Sequence, residues 1–243
     1  MGKKAAGHLA SRLSGLAPTL LLLLVLLLAL GLRFYGLDSQ SLWNDEGTSV
    51  AIAQRSLATI AQDAAQDIHP PLYYWLRASW VRVFGTSEVA VRSLSALLGV
   101  VLVALTFILG RLLAGRWVGL AAAFLAAIHP FQIYYSQEAR MYMLLAVLTA
   151  GAVLAVVHLV RQGVPRGFAP ARVGSAAATE PDTKEPPAKE HVPGESPRVG
   201  RVALAALVLL EVAGLYTHYS FVFVILVLNA GYFLQVRSKA FVR

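Results

Sequence analysis

This sequence predicts an all-α integral membrane protein with about six transmembrane helices and interfacial amphipathic helices in its first outer loop. Three observations carry that prediction. The chain is 57% hydrophobic and only 14% charged, with a mean hydropathy of +0.63, which is too apolar for a soluble domain. Its Leu-, Ala- and Val-rich runs approach the roughly 20 residues needed to cross a bilayer core of about 30 Å. With no water there to satisfy backbone groups, such runs must be helical. Its basic residues flank the apolar runs, as the positive-inside tendency requires. The net charge of +8 therefore does not point to nucleic acid, and no basic stripe or base-reading motif is present. The absence of cysteine excludes disulfides, thiolate catalysis and zinc-thiolate sites.

The elements follow in chain order. Lys3, Lys4 and Arg12 precede a Leu-rich stretch over 16–32. It reads either as a signal peptide, with Ala29 and Gly31 as a small-residue cleavage site, or as an uncleaved anchor, which its length favours. Either way the residues after it lie outside the cytoplasm. Val50, Ala53, Leu57, Ile60 and Ala64 recur at helical spacing, predicting one amphipathic helix over 48–66 on the outer leaflet. The segment 71–84 is short for a span and carries Arg77 and Arg82. Its Tyr73, Tyr74, Trp75 and Trp80 suit the headgroup boundary, so it reads as an interfacial helix. Spans are predicted over 89–113, 118–134, 141–160, 202–216 and 221–234. With 71–84 left outside the count, Arg111, Arg116, Arg161, Arg166 and Arg237 all fall on the side of Lys3 and Lys4, and all five lysines lie inside. Between the spans, 163–200 mixes Pro, Ala, Glu and Lys without periodicity and reads as a disordered cytoplasmic linker. The chain thus divides into a membrane core over 1–162 with its first outer loop at 38–88, the linker over 163–200, and two final spans over 201–243.

This topology gathers polar residues on the outer face. Asp45 and Glu46 form either a solvated helix cap or a general base with a neighbour that orients it or holds a cation. Adjacent helical residues do not face the same way, so one carboxylate would do chemistry and the other position it. His69-Pro70-Pro71 is either punctuation or a stiff turn presenting an imidazole. Tyr134, Glu138 and Tyr142 share a face if their segment is helical. Glu138 and Arg140 at the membrane boundary are costly unless used. Arg92 has snorkelling as a sufficient explanation on its own, and His218 in Tyr216-Thr217-His218-Tyr219 reads as interface belt. The outer arginines (Arg33, Arg55, Arg77, Arg82, Arg92 and Arg140) come without a lysine and suit bidentate phosphate contacts, although some simply snorkel. Glu211, inside a span, calls for a partner that the sequence does not reveal. A divalent metal among Asp45, Glu46 and Glu138 is allowed but demanded by no ligand spacing.

Taken in order, these motifs resemble a known family. They are Leu37-Asp38 with Leu42-Trp43-Asn44-Asp45-Glu46, His69-Pro70-Pro71-Leu72-Tyr73-Tyr74-Trp75-Leu76, Glu88 with Arg92-Ser93-Leu94-Ser95-Ala96-Leu97, and Ile133-Tyr134-Tyr135-Ser136-Gln137-Glu138-Ala139-Arg140-Met141-Tyr142. Over roughly 31–145 the chain resembles the bacterial GT-C glycosyltransferases, nearest the protein O-mannosyltransferase-like branch that includes lipid A aminoarabinose transferases. The resemblance implies a multi-pass enzyme of the bacterial cytoplasmic membrane. Such an enzyme moves a sugar, with inversion, from a polyprenyl-phosphate donor to a protein, lipid or glycan acceptor at the outer face. It implies Asp45 as the catalytic base or acceptor-orienting group with Glu46 beside it, and Glu138 as the second acidic position. It implies Arg92 as a contact of the carrier phosphate. His69 stands where some relatives have lysine, and Arg140, Tyr142 and His218 complete the substrate- and phosphate-binding set. Family members usually carry more spans, so a fragment, a split enzyme or a degraded relative is expected. The alternatives are a non-catalytic chain or partner subunit that binds the carrier lipid, and a transporter lined by Glu211 and Glu138.

Overall fold

The computed structural model describes residues 2–66, 69–162 and 197–241, and within them every regular element is an α-helix. In order these are α1 (Gly2–Phe34), α2 (Asn44–Ala53), α3 (Leu57–Ala64), α4 (Leu72–Phe84), α5 (Glu88–Ala114), α6 (Arg116–Ile128), α7 (Pro130–Ser136), α8 (Tyr142–Gln162), α9 (Pro197–Leu215) and α10 (Phe221–Phe241). The predicted all-α membrane class holds. Three helices are long and apolar enough to cross a membrane, namely α1 over Ala17–Phe34, α5, and α8 over Tyr142–Arg161. A fourth crossing follows if the bent pair α6 and α7 is one span. The last two predicted spans are α9 and α10. The apolar stretch of α10 is shorter, and α9 carries Arg198, Arg201 and Glu211. Of the predicted linker, 163–196 lies outside the described residues. Ala152, Ala155, Leu159 and Leu207 bury a seam between α8 and α9, with Leu228 and Tyr232 of α10 against it.

The α5–α6 hairpin is built on glycine. Gly115 turns the chain at φ +92°. A Cβ on Gly119 would lie 2.7 Å from the Phe107 carbonyl oxygen, and one on Gly110 would lie 2.9 Å from Gly119 Cα. The two backbones therefore touch, as small residues permit between membrane helices.

The segment predicted as one span over 118–134 is broken instead. His129 is extended (φ −67°, ψ 120°), Pro130 opens α7, and the two helices bend by 60°. Proline cannot donate the bond that would continue α6, so the last carbonyls of α6 need other donors. Arg33 supplies them. Its Nη1 donates to Ala127 O at 3.0 Å and its Nη2 to Ala126 O at 3.1 Å. Arg33 is fully buried and lies within the bundle, among α1, α5 and α6.

The helix predicted over 48–66 is two helices. Ser56 accepts from Thr59 N at 3.1 Å and starts α3 as its N-cap, an arrangement that requires the extended backbone seen there. The apolar stripe turns toward protein, with Ala53 and Ile60 packed against Tyr73, Tyr74 and Ala78 of α4. In α4 the indole of Trp75 donates to Leu57 O at 3.0 Å and that of Trp80 to Ala90 O at 2.9 Å. Arg77 is fully buried, bonded to Val91 O and to the Tyr73 hydroxyl. Helices α2 to α4 thus form a layer docked on α5, above the bundle mouth.

Candidate active site

The heads of α2 and α5 and the α7–α8 connection converge on one carboxylate, Glu46. It is the third residue of α2, and its Oε2 accepts from the Trp43 backbone N–H at 3.3 Å. This reach back from the first turn is half of a capping box. The same side chain is fully buried and takes a two-point contact from Arg92, with Nε to Oε1 at 3.0 Å and Nη2 to Oε2 at 2.7 Å. Ala139 N–H donates to Oε1 at 2.7 Å. The remaining N–H groups of Arg92 go to the carbonyls of Leu37 and Gln40, both at 2.7 Å, and of Ser41 at 3.2 Å. All five guanidinium donors are therefore occupied, and the loop before α2 is tied to the head of α5 and to the α7–α8 connection. Burial alone would raise the Glu46 carboxyl pKa. The bonds from Arg92 and Ala139 outweigh it and hold the group below its ordinary value.

Asp45, the adjacent residue, faces elsewhere. Its side chain is 42% exposed and forms an ion pair with Arg140 at 3.5 Å. Arg140 lies with its guanidinium carbon 5.8 Å from the Tyr142 ring centroid, and its buried Nε has no partner. Glu138 is almost buried and shares a hydrogen bond with Tyr134. Burial raises the Glu138 pKa, as do the charges of Glu46 and Asp45, against the opposing effects of Tyr134 and Arg140. Residues 137–141 are not helical, so the shared helical face expected for Tyr134, Glu138 and Tyr142 does not form. Tyr134 meets Glu138 across the end of α7 instead.

Six of the predicted residues (Asp45, Glu46, Arg92, Glu138, Arg140 and Tyr142) are thus brought together. His69 and His218 form a second locus, their rings 6.0 Å apart and near-perpendicular at 75°. Leu72 N donates to Tyr216 O at 3.0 Å, tying the α9–α10 turn to the head of α4. His218 Nδ1 accepts from Ser220 N–H at 3.1 Å, which leaves Nε2 to carry the proton of the neutral ring. Helix α4 links the loci, since Tyr73 is close enough to Arg140 for that charge to act on its phenol. Among the described residues no three His, Asp or Glu side chains gather to hold a metal.

Sequence reasoning missed Gln137. Its Nε2 donates to Leu32 O at 3.2 Å and to Tyr35 O at 2.8 Å, binding the end of α7 to the end of α1. The only signal was its place beside Glu138. The partner of Glu211, also missed, is Asn229, whose Nδ2 donates to Oε1 at 2.6 Å.

Fold and site together define a multi-pass membrane protein with a carboxylate–guanidinium centre held where its helices emerge. A family model described as dolichyl-phosphate-mannose-protein mannosyltransferase matches residues 68–179. The match supports a GT-C-type glycosyltransferase, in agreement with the resemblance read from the motifs. It includes His69, Arg92, Glu138, Arg140 and Tyr142, and begins after Asp45 and Glu46. Comparison with curated proteins and with solved structures returned no match.

Proposed function

We propose that this chain transfers a sugar, with inversion, from a polyprenyl-phosphate donor to an acceptor hydroxyl at the outer face of the bacterial cytoplasmic membrane. The observation that supports the reading best is the Asp45–Arg140 pair, partly open to solvent and mounted on the closed Glu46–Arg92 contact. Asp45 takes the proton of the acceptor hydroxyl as its oxygen attacks the anomeric carbon. The bond from that carbon to the phosphate oxygen breaks, and its electron pair leaves with the phosphate. Arg140 stabilises the growing negative charge, and His69 and His218 flank the lipid phosphate. Arg92, its donors all engaged, acts on this reading by holding Glu46 and the outer loop in place. Confinement of the donor to the membrane plane assists the encounter.

The test is transfer of label from a polyprenyl-phosphate mannose by membranes containing the full chain. Asp45→Asn lowers transfer by about 10²- to 10⁴-fold with an unchanged melting temperature. Unaltered transfer in that variant removes Asp45 from the role of base. Carrier-lipid binding without turnover in the wild-type chain selects the non-catalytic alternative.

A further inference from the structure

A cavity of about 190 Å³ opens beside the Glu46–Arg92 pair, lined chiefly by Ser39, Gln40, Trp43, Tyr134, Gln137 and Glu138. We infer that this cavity is a binding site for one neutral saccharide ring, contacted by Trp43, Tyr134 and Glu138. Glu46 and Glu138 line it, whereas Asp45 and Arg140 do not.

Size, charge and surface chemistry select the ligand class. Drug-sized ligands occupy roughly 300–1,000 Å³, so this space suits a single ring rather than a lipid-linked chain. Arg92 is the one cation lining it, and its five N–H groups are all engaged by protein. Glu138 adds a carboxylate. An anion such as phosphate would find repulsion and no available cation, whereas a ring bearing hydroxyls finds acceptors. The aromatic residues are placed for contact. Trp43 is 46% exposed and Tyr134 is 59% exposed. The indole N–H groups of Trp75 and Trp80 both go to backbone carbonyls, but that of Trp43 bonds to none of the described residues. An aromatic face with a polar tip matches a sugar, which presents C–H groups on one face and hydroxyls at its edge. The walls are also fixed in advance, through Arg92 on Leu37, Gln40 and Ser41 and through Gln137 on Leu32 and Tyr35. Such preorganisation lowers the ordering cost of binding.

The inference rests on the glycosyl-transfer reading for naming the ring a sugar, and it is tested separately from transfer. The full chain in detergent is titrated with methyl α-D-mannopyranoside and methyl β-L-arabinopyranoside, with inorganic phosphate as competitor and binding followed by saturation-transfer NMR. A neutral glycoside binds, and inorganic phosphate does not displace it. Trp43→Ala weakens the neutral ligand roughly tenfold, Trp43→Phe recovers most of the loss, and Trp117→Phe changes nothing. Competition then separates the sources. A glycoside that raises KM for the lipid-linked donor marks the donor's ring, and one that raises KM for the acceptor marks the acceptor's; either supports the site. Absence of neutral-glycoside binding at millimolar concentration overturns the inference, as does displacement of the glycoside by inorganic phosphate or an unchanged affinity in Trp43→Ala. Transfer that fails while Trp43-dependent binding persists removes the transfer reading and leaves the cavity. Transfer that persists with both KM values unchanged in Trp43→Ala removes the cavity and leaves the transfer reading.

Discussion

Two carboxylate–arginine pairs lie side by side at the mouth of this bundle, and they differ in almost every physical respect. Glu46 and Arg92 are buried, meet through two bonds and have their remaining polar atoms satisfied by Trp43, Ala139 and three loop carbonyls. Asp45 and Arg140 meet through one 3.5 Å approach, with Asp45 half open to solvent and Arg140 Nε unpartnered. A saturated pair holds three distant segments of chain together but has little bonding capacity left for a ligand. The looser pair contributes little to holding the fold and keeps capacity for chemistry. On the proposed reading, how completely each carboxylate is satisfied decides which one positions and which one reacts.

Neutralising each carboxylate in turn, and reading both activity and stability, separates the two pairs. Asp45→Asn gives the largest effect, the transfer loss stated above, with stability altered by only about 0–1 kcal/mol, as expected of a solvent-exposed ion pair. Glu46→Gln does the reverse at the primary level. It leaves Arg92 buried beside a neutral group and costs about 3–5 kcal/mol, read as a lower thermal midpoint in detergent. Arg92→Lys does not restore it, because an ammonium cannot make the two-point contact or reach all three carbonyls. Equal melting points for the Asp45 and Glu46 variants would erase the distinction. Gly119→Ala, remote from both pairs, forces apart the α5–α6 backbones and costs about 1–3 kcal/mol, by the same measurement.

The gentlest probe is pH. The Glu138 pKa is raised in the fold, so its stabilising contribution is present at low pH and is lost as pH rises through that raised value. The Glu46 pKa is lowered, so its contribution is present above the unfolded value of about 4.3 and is lost as pH falls through the lowered one. Acidification from neutrality therefore first raises stability and then lowers it. Melting curves of Glu138→Gln lack the rise and keep the fall, while Glu46→Gln lacks the fall.

Much of this was legible in the residues. The membrane class and the gathering of Asp45, Glu46, Arg92, Glu138 and Arg140 at one end of the bundle follow from apolar runs and motif order. The break at His129 had its signal in Pro130, but the length of apolar sequence around it masked the proline. Ser56 likewise announced a helix start within 48–66 that the continuous apolar spacing hid. Arg33 was read with the outer arginines because a guanidinium after a Leu run normally seeks the headgroups. It is buried because the break in α6 leaves carbonyls that need donors. His69 and His218, too distant in sequence to suggest a pair, meet because α4 and the α9–α10 turn are hydrogen-bonded.

Composition and local pattern determined by themselves that this chain forms apolar helices with a polar cluster at one end. A bilayer leaves the backbone no other way to satisfy its hydrogen bonds, and that constraint acts residue by residue. Only the tertiary structure decided the fates of the two neighbouring carboxylates. Arg92 reaches Glu46 from 46 residues away and the Ala139 N–H from 93, and neither reaches Asp45. Local sequence places the two acids on the same turn; long-range packing brings the donors to one of them and leaves the other facing solvent.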